Sequence, residues 1–184
     1  MTTPLALAPH VLATCRRLFE SQKRLADRAV AQCSDEELHR VPAPDANSIA
    51  VTMKHVAGNL RSRWTDFLES DGEKPWRDRD SEFEDDMPVR SALLARWEEG
   101  WATLFSTLAG LRDEDLPRTV SIRGEPHTVV EALLRQVSHY GYHVGQIVMG
   151  ARLLLGPRWQ SLSIPRGGSR AHDAAMGYTP PSTA

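Results

Sequence analysis

His139 and His143 stand four residues apart in the string His139-Tyr140-Gly141-Tyr142-His143, and on a helix that separation presents two side chains side by side on one face. Two imidazoles so placed can share a divalent metal ion. The spacing alone is a weak signal, because seven histidines give such a pair by chance in roughly one chain of this length in five. A third imidazole strengthens it. His55 falls near the middle of an earlier helical segment, on one stripe with Val51 and Asn59, so a bundle core would bring it opposite the pair. Three neutral imidazoles with one position left over match an open catalytic site, whereas closed structural sites take four protein ligands.

His139 and His143 share their stripe with Ala132, Gln136, Gln146, Ile147 and Leu154, which turns them toward the interior, where a histidine needs a partner. Asn59, Gln136 and Gln146 lie within a turn of a ligand and are the candidates to hold the rings in orientation. Imidazole ligands suit several metals, zinc or nickel first and iron or manganese after them. Other chemistries find no support. Tyr140 occupies the place where an HExxH peptidase carries its glutamate, and no GxSxG elbow surrounds Ser121, Ser138 or Ser163. Cys15 and Cys33 form no CxxC pair and read as ordinary thiols. His10, His39, His127 and His172 fall at helix starts, in connectors or in the tail and are expected to face solvent. No acid or base is evident beside the metal, since Tyr140 and Tyr142 fall on other faces.

The elements that must position these residues are mostly helical. Apolar residues at helical spacing predict a first helix over 9–32, and Ser34 with Glu37 is a capping box for a short turn stopped by Pro42 and Pro44. Asn47 or Ser48 caps a second helix over about 49–69, with Val51, His55, Val56, Leu60, Trp64, Phe67 and Leu68 on one broad face. Residues 71–86 are acidic, interrupted by Lys74, Arg77 and Arg79, and are expected to form a long solvated loop pinned by Trp76 and Phe83. Pro88 opens a third helix running to about Leu108. The alternation from Thr119 to Glu125 with Gly124 allows a short hairpin. Thr128 and Glu131 cap the fourth and longest helix, over 129–155, ended by Gly156-Pro157. Gly141 and Gly145 inside it each cost about 1 kcal/mol against alanine, so a close packing or a ligand is expected there. The result is an all-α four-helix bundle over 1–157 and a C-terminal tail over 158–184 that partly drapes over it.

Bulk properties narrow the function classes. A length of 184 residues with 41% hydrophobic and 25% charged residues is enough for one domain with its own core. A formal net charge of -2 provides no large positive field, so nucleic acid is not an expected partner. No stretch approaches a membrane span, and the first nine residues lack the basic start and apolar core of a secretory signal, so a cytoplasmic location is expected.

The strings Asn47-Ser48-Ile49-Ala50-Val51-Thr52-Met53-Lys54-His55-Val56-Ala57-Gly58-Asn59-Leu60, Gln136-Val137-Ser138-His139-Tyr140-Gly141-Tyr142-His143-Val144-Gly145-Gln146 and Ser163-Ile164-Pro165-Arg166-Gly167-Gly168-Ser169, with the order of helices, resemble the DinB-like superfamily of four-helix bundles, also called YfiT-like. The resemblance covers nearly the whole chain. It implies an up-down-down-up bundle, a divalent metal at His55, His139 and His143, and a homodimer. That superfamily includes metal-dependent transferases that use small thiols and members without a known activity. The expected function is therefore a metal-dependent enzyme of the thiol-transferase or hydrolase type, acting on a small molecule and in one form using a low-molecular-weight thiol. The alternative is a non-catalytic metal-binding or ligand-sequestering stress-response bundle that works as a dimer.

Overall fold

The structure is a computed structural model that describes residues 7–179; the expectations for the first six residues and for Pro180-Pro181 lie outside them. Along the chain run α1 (Leu7–Val30), the short α2 (Asp35–His39), α3 (Ile49–Trp64), α4 (Arg90–Gly110), a hairpin of β1 (Thr119–Ile122) and β2 (Glu125–Thr128), α5 (Val129–Leu155) and α6 (Ser169–Ala175). The caps read from the sequence are formed. Ser34 and Glu37 close a capping box on α2, Ser48 accepts from the N–H of Val51 at the start of α3, and Thr128 and Glu131 close a second box on α5. Each satisfies backbone N–H groups that a helix start leaves without partners. Gly156, at φ 53°, ends α5 in a conformation that costs a residue with a Cβ.

Contacts between helices fix the topology. Lys23 reaches Glu98, Asp27 accepts from Trp97, and Arg90 donates to the carbonyl of Val30, so α1 and α4 are antiparallel. Arg61 pairs with Glu99 and Thr107 donates to the carbonyl of Trp64, so α3 and α4 run parallel. His55 faces His143, and a Cβ on Gly150 would meet Ile49, so α3 and α5 are antiparallel. The long helices α1, α3, α4 and α5 therefore run up, down, down and up. A parallel α3–α4 pair obliges the chain to return along the length of the bundle between them, which is why residues 65–89 are long.

Aromatic side chains fill the centre. Phe19, Trp64, Trp97, Trp101 and Tyr140 are fully buried, and the Tyr140 ring packs against both Phe19 and Trp101. Its hydroxyl accepts from Trp64 Nε1 and donates to Asn59 Oδ1, both at 3.0 Å, which pairs the polar atoms that burial would otherwise leave unsatisfied.

The loop after α3 departs from the expectation of a solvated acidic run. Every residue of α3 except Arg61 is buried, because α4 and α5 cover two sides and residues 72–86 cover much of a third. Lys54 Nζ donates to the carbonyls of Ser81 and Glu84 and pairs with Asp86; Ser62 Oγ donates to the carbonyl of Gly72 and accepts from the N–H of Lys74. Within the loop Lys74 and Glu82 are buried. Trp76 pins it less than expected, being half exposed under the guanidinium of Arg61. The second helix also stops short, at Trp64 rather than near residue 69, and Asp66 just beyond it has φ 47°.

The hairpin forms as an antiparallel pair in the register Thr119 to Thr128, with Arg123 (φ 56°) and Gly124 (φ 77°) at its turn, the positive pair that a type I′ turn requires. After α5 the chain drapes back as expected. Arg158 pairs with Glu37, the N–H of Gln160 donates to Gln32 Oε1, and Arg28 donates to the carbonyl of Leu162. No helix among the described residues is long and apolar enough to cross a membrane.

Candidate metal centre

His55 projects from the middle of α3, and His139 and His143 project from consecutive turns of α5 across the antiparallel contact. The three rings converge. Centroids lie 5.7 Å (His55 to His139), 4.8 Å (His55 to His143) and 4.7 Å (His139 to His143) apart, and one nitrogen from each lies within 4.8 Å of the others. His139 Nε2 and His143 Nε2 face each other at 3.1 Å. Two nitrogens bound at 2.0–2.1 Å to one tetrahedral ion would stand about 3.3 Å apart, so this pair is already spaced for shared coordination. At the widest separation, up to 4.8 Å, the rings must close by about 1.5 Å to reach that spacing.

The remaining ring nitrogens reveal what the site is built for. His55 Nδ1 lies 2.9 Å from Glu82 Oε2, and Glu82 is 1% exposed. Arg77 grips the same carboxylate with Nε and Nη2, each at 2.8 Å. Burial opposes the charge on Glu82, but hydrogen bonds from His55 and Arg77 outweigh it and hold the carboxyl below its ordinary value. An ionised carboxylate only accepts, so Nδ1 of His55 donates to it and Nε2 is the nitrogen left to face an ion. His143 Nδ1 lies 2.7 Å from Gln146 Oε1, whose amide nitrogen donates to Tyr142 Oη, leaving the His143 Nε2 lone pair on the inner side in the same way. Burial, with the charges of His143, His55 and nearby arginines, pushes His139 down to about 3. Its imidazole is neutral at every physiological pH, as a metal ligand must be.

Without an ion, one ring can donate an N–H to the other across that 3.1 Å, since His139 Nδ1 has no partner among the described residues; with the proton on Nδ1, the donor set of three imidazoles, two of them backed by a carboxylate and an amide, fits a divalent ion. These three histidines could hold a metal ion. Phe83 stacks on His55, with centroids 4.8 Å apart, and lids the ring on its loop side.

The expected ring-holding residues divide. Gln146 does hold His143. Asn59 is buried but spends its oxygen on Tyr140, and Gln136 is buried with its Oε1 unpartnered among the described residues. The residues that sequence reasoning missed are Glu82 and Arg77. Their signal is Gly58, one turn after His55 inside a buried helix: a Cβ there would stand 2.7 Å from Glu82 Cδ. Gly141 and Gly145 have no comparable reason, since a Cβ on Gly141 would meet only Gln22 and one on Gly145 nothing within 4 Å. Of the histidines outside the site, His10 and His172 are exposed as expected, but His39 and His127 are half-buried, and His39 pairs with Asp85 at 2.7 Å. Tyr142 is exposed, and the Tyr140 hydroxyl belongs to the core network.

A protein family described as a protein of unknown function (DUF1572) matches residues 7–168. The chain belongs to this family. The match spans the bundle, all three histidines, Glu82 and the docked segment after α5. Comparison with curated proteins returns no match. A solved structure, described as that of the conserved protein of locus from Enterococcus faecalis, is similar with a TM-score of 0.52 and 20% identity, covering 85% of this chain and 99% of that one. At that identity the likeness shows the fold.

Proposed function

We propose that the protein is a metal-dependent enzyme of the thiol-transferase or hydrolase type, acting in the cytoplasm on a small molecule. His55, His139 and His143 hold the ion, zinc or nickel before iron or manganese. The observation that carries the reading is the convergence of three imidazoles, two of them fixed from behind by Glu82 and Gln146, beside a cavity of about 160 Å³ lined by His55, Asn59, Arg63 and His139 among others. A structural ion would have no use for an adjoining space with polar walls. The resemblance to the DinB-like superfamily supports the same class, a low-molecular-weight thiol as co-substrate and a homodimeric assembly.

When bound at three imidazoles, a divalent ion can bring a water toward a pKa of about 7 or hold a thiolate for attack on an electrophile. The chain's own residues set the geometry. Glu82, clamped by Arg77, keeps the proton of His55 on Nδ1 and fixes the ring plane; Gln146 does the same for His143. Phe83 excludes water from the outer face of His55.

The test is turnover by the metal-loaded full chain against a panel pairing low-molecular-weight thiols with electrophiles, and against ester and amide substrates. Expected is turnover that vanishes on chelation and in His139→Ala. A chain that binds its metal yet turns over nothing across the panel would overturn the enzymatic reading in favour of a non-catalytic metal-binding bundle.

A further inference from the structure

The cavity that His55 and His139 line is also lined by five arginines: Arg63, Arg77, Arg79, Arg123 and Arg135. Only two have carboxylate partners among the described residues. Arg77 is held by Glu82 and Glu73, and Arg123 reaches Glu73 Oε2 at 3.2 Å. Arg63 is 4% exposed, and its Nε and Nη1 are buried without a hydrogen-bond partner among the described residues. A guanidinium cannot shed its proton, so the fold carries there a buried cation that no carboxylate touches, with Glu73 acting on it only from a distance.

The surroundings are shaped to keep it. Gly72 packs directly on the Arg63 side chain, where a Cβ would stand 2.9 Å from Arg63 Cδ. Arg123 holds a positive φ at the hairpin turn, and Asp71 clamps that turn by accepting from the N–H groups of Arg123 and Gly124 at 2.9 and 2.8 Å. A structural arginine would be placed where a carboxylate or carbonyls could meet it. Nε and Nη1 are closed off, Nη1 against Gly72, which leaves Nη2, without a hydrogen-bond partner among the described residues, as the nitrogen of this cavity-lining side chain that a ligand can meet.

We propose that this cavity is an oxyanion subsite, in which Arg63, with Arg123 and Arg135 at its edge, binds the carboxylate or phosphate of a small anionic substrate whose other end reaches the three histidines. The inference rests on the metal-site reading only for that reacting end; binding of the anion needs the arginines alone. The space suits a headgroup and little more, since 160 Å³ corresponds to roughly five waters at their share of liquid volume.

Titration calorimetry of inorganic phosphate, and separately of malonate, into the full chain with and without metal tests the proposal and separates the two anion types. The expected result is one-to-one binding of at least one of them, weakened about tenfold or more in Arg63→Gln, because charge-assisted hydrogen bonds carry the affinity. Arg63→Gln is expected to melt no lower than the parent, since it removes an unpaired buried charge, and to lose the rise in melting temperature that the anion gives the parent. Arg135→Gln, exposed at the edge, is expected to weaken binding about threefold and serves if Arg63→Gln does not fold. No binding of either anion, or equal binding by the parent and the arginine variants, overturns the subsite. Binding that vanishes on chelation and ignores the arginines also overturns it while leaving the metal reading standing. Arginine-dependent binding in a chain that takes up no metal upholds the subsite and defeats the metal reading.

Discussion

Replacing Gly58 by alanine should destabilise the protein, although alanine in a helix interior normally gains about 1 kcal/mol over glycine. The new methyl would stand 2.7 Å from Cδ and 3.2 Å from Cγ of Glu82, where carbon atoms normally keep about 3.5–4.0 Å apart. Glu82 would have to retreat by about 1 Å, and a hydrogen bond of ordinary length stretched by that much is lost. Three such bonds end on its carboxylate, one from His55 at 2.9 Å and two from Arg77 at 2.8 Å. Breaking a buried, hydrogen-bonded charge pair costs about 3–5 kcal/mol, so the net loss should be about 2–4 kcal/mol once the helix gain is subtracted. Loss of the group that orients a histidine ligand should also lower metal affinity by about 10–100-fold. Urea unfolding of the chelated protein measures the first effect, and competition against a chromophoric chelator the second. A Gly58→Ala protein that is about 1 kcal/mol more stable than the parent and binds metal equally well would refute the role given to Glu82.

Tyr140→Phe should cost about 1–3 kcal/mol in urea unfolding, because it strands the buried Trp64 Nε1 and Asn59 Oδ1, with metal affinity unchanged; a neutral result would break the core network as drawn. Asp71 is held well below the ordinary carboxylate range because hydrogen bonds from Ser121 and from the N–H groups of Gly124, Glu73 and Arg123 outweigh the opposing effect of burial. A lowered folded value means the stabilisation is present above the unfolded value of about 3.9 and is lost as pH falls through the folded one. Asp71→Asn should therefore cost about 2 kcal/mol at pH 7, and the gap to the parent should narrow below about pH 4; a gap that stays constant in acid unfolding series would contradict this. Adding zinc or nickel at about a hundred times its dissociation constant should stabilise the chelated protein by about 2.7 kcal/mol, seen as a rise in melting temperature that His143→Ala lacks.

Helix α5 was legible to the residue because its signals are local: a capping box at Thr128, an apolar period, and Gly156-Pro157 at its end. The histidine pair followed from that helix alone, and His55 from the face it shares with Val51 and Asn59. Glu82 and Arg77 were not legible, because they lie 27 and 22 residues beyond His55 in an acidic stretch whose composition reads as solvated. What buries that stretch is topology: α3 and α4 run parallel, so the returning chain must cross the outer side of α3. The same covering explains why α3 is buried nearly all round rather than on one face, and why Arg63, a polar position by pattern, ends inside a cavity wall. The traces left in the sequence were Gly58 and Gly72, small residues whose reason appears only when the side chains packed on them are known.

Elemental analysis of the purified full chain, beside a His55→Ala, His139→Ala, His143→Ala triple variant, decides whether the three histidines hold a metal ion. Close to one equivalent of a divalent transition metal is expected in the parent and essentially none in the variant. A parent without metal after reconstitution with zinc or nickel, or a variant that retains the parent's full equivalent, would contradict it.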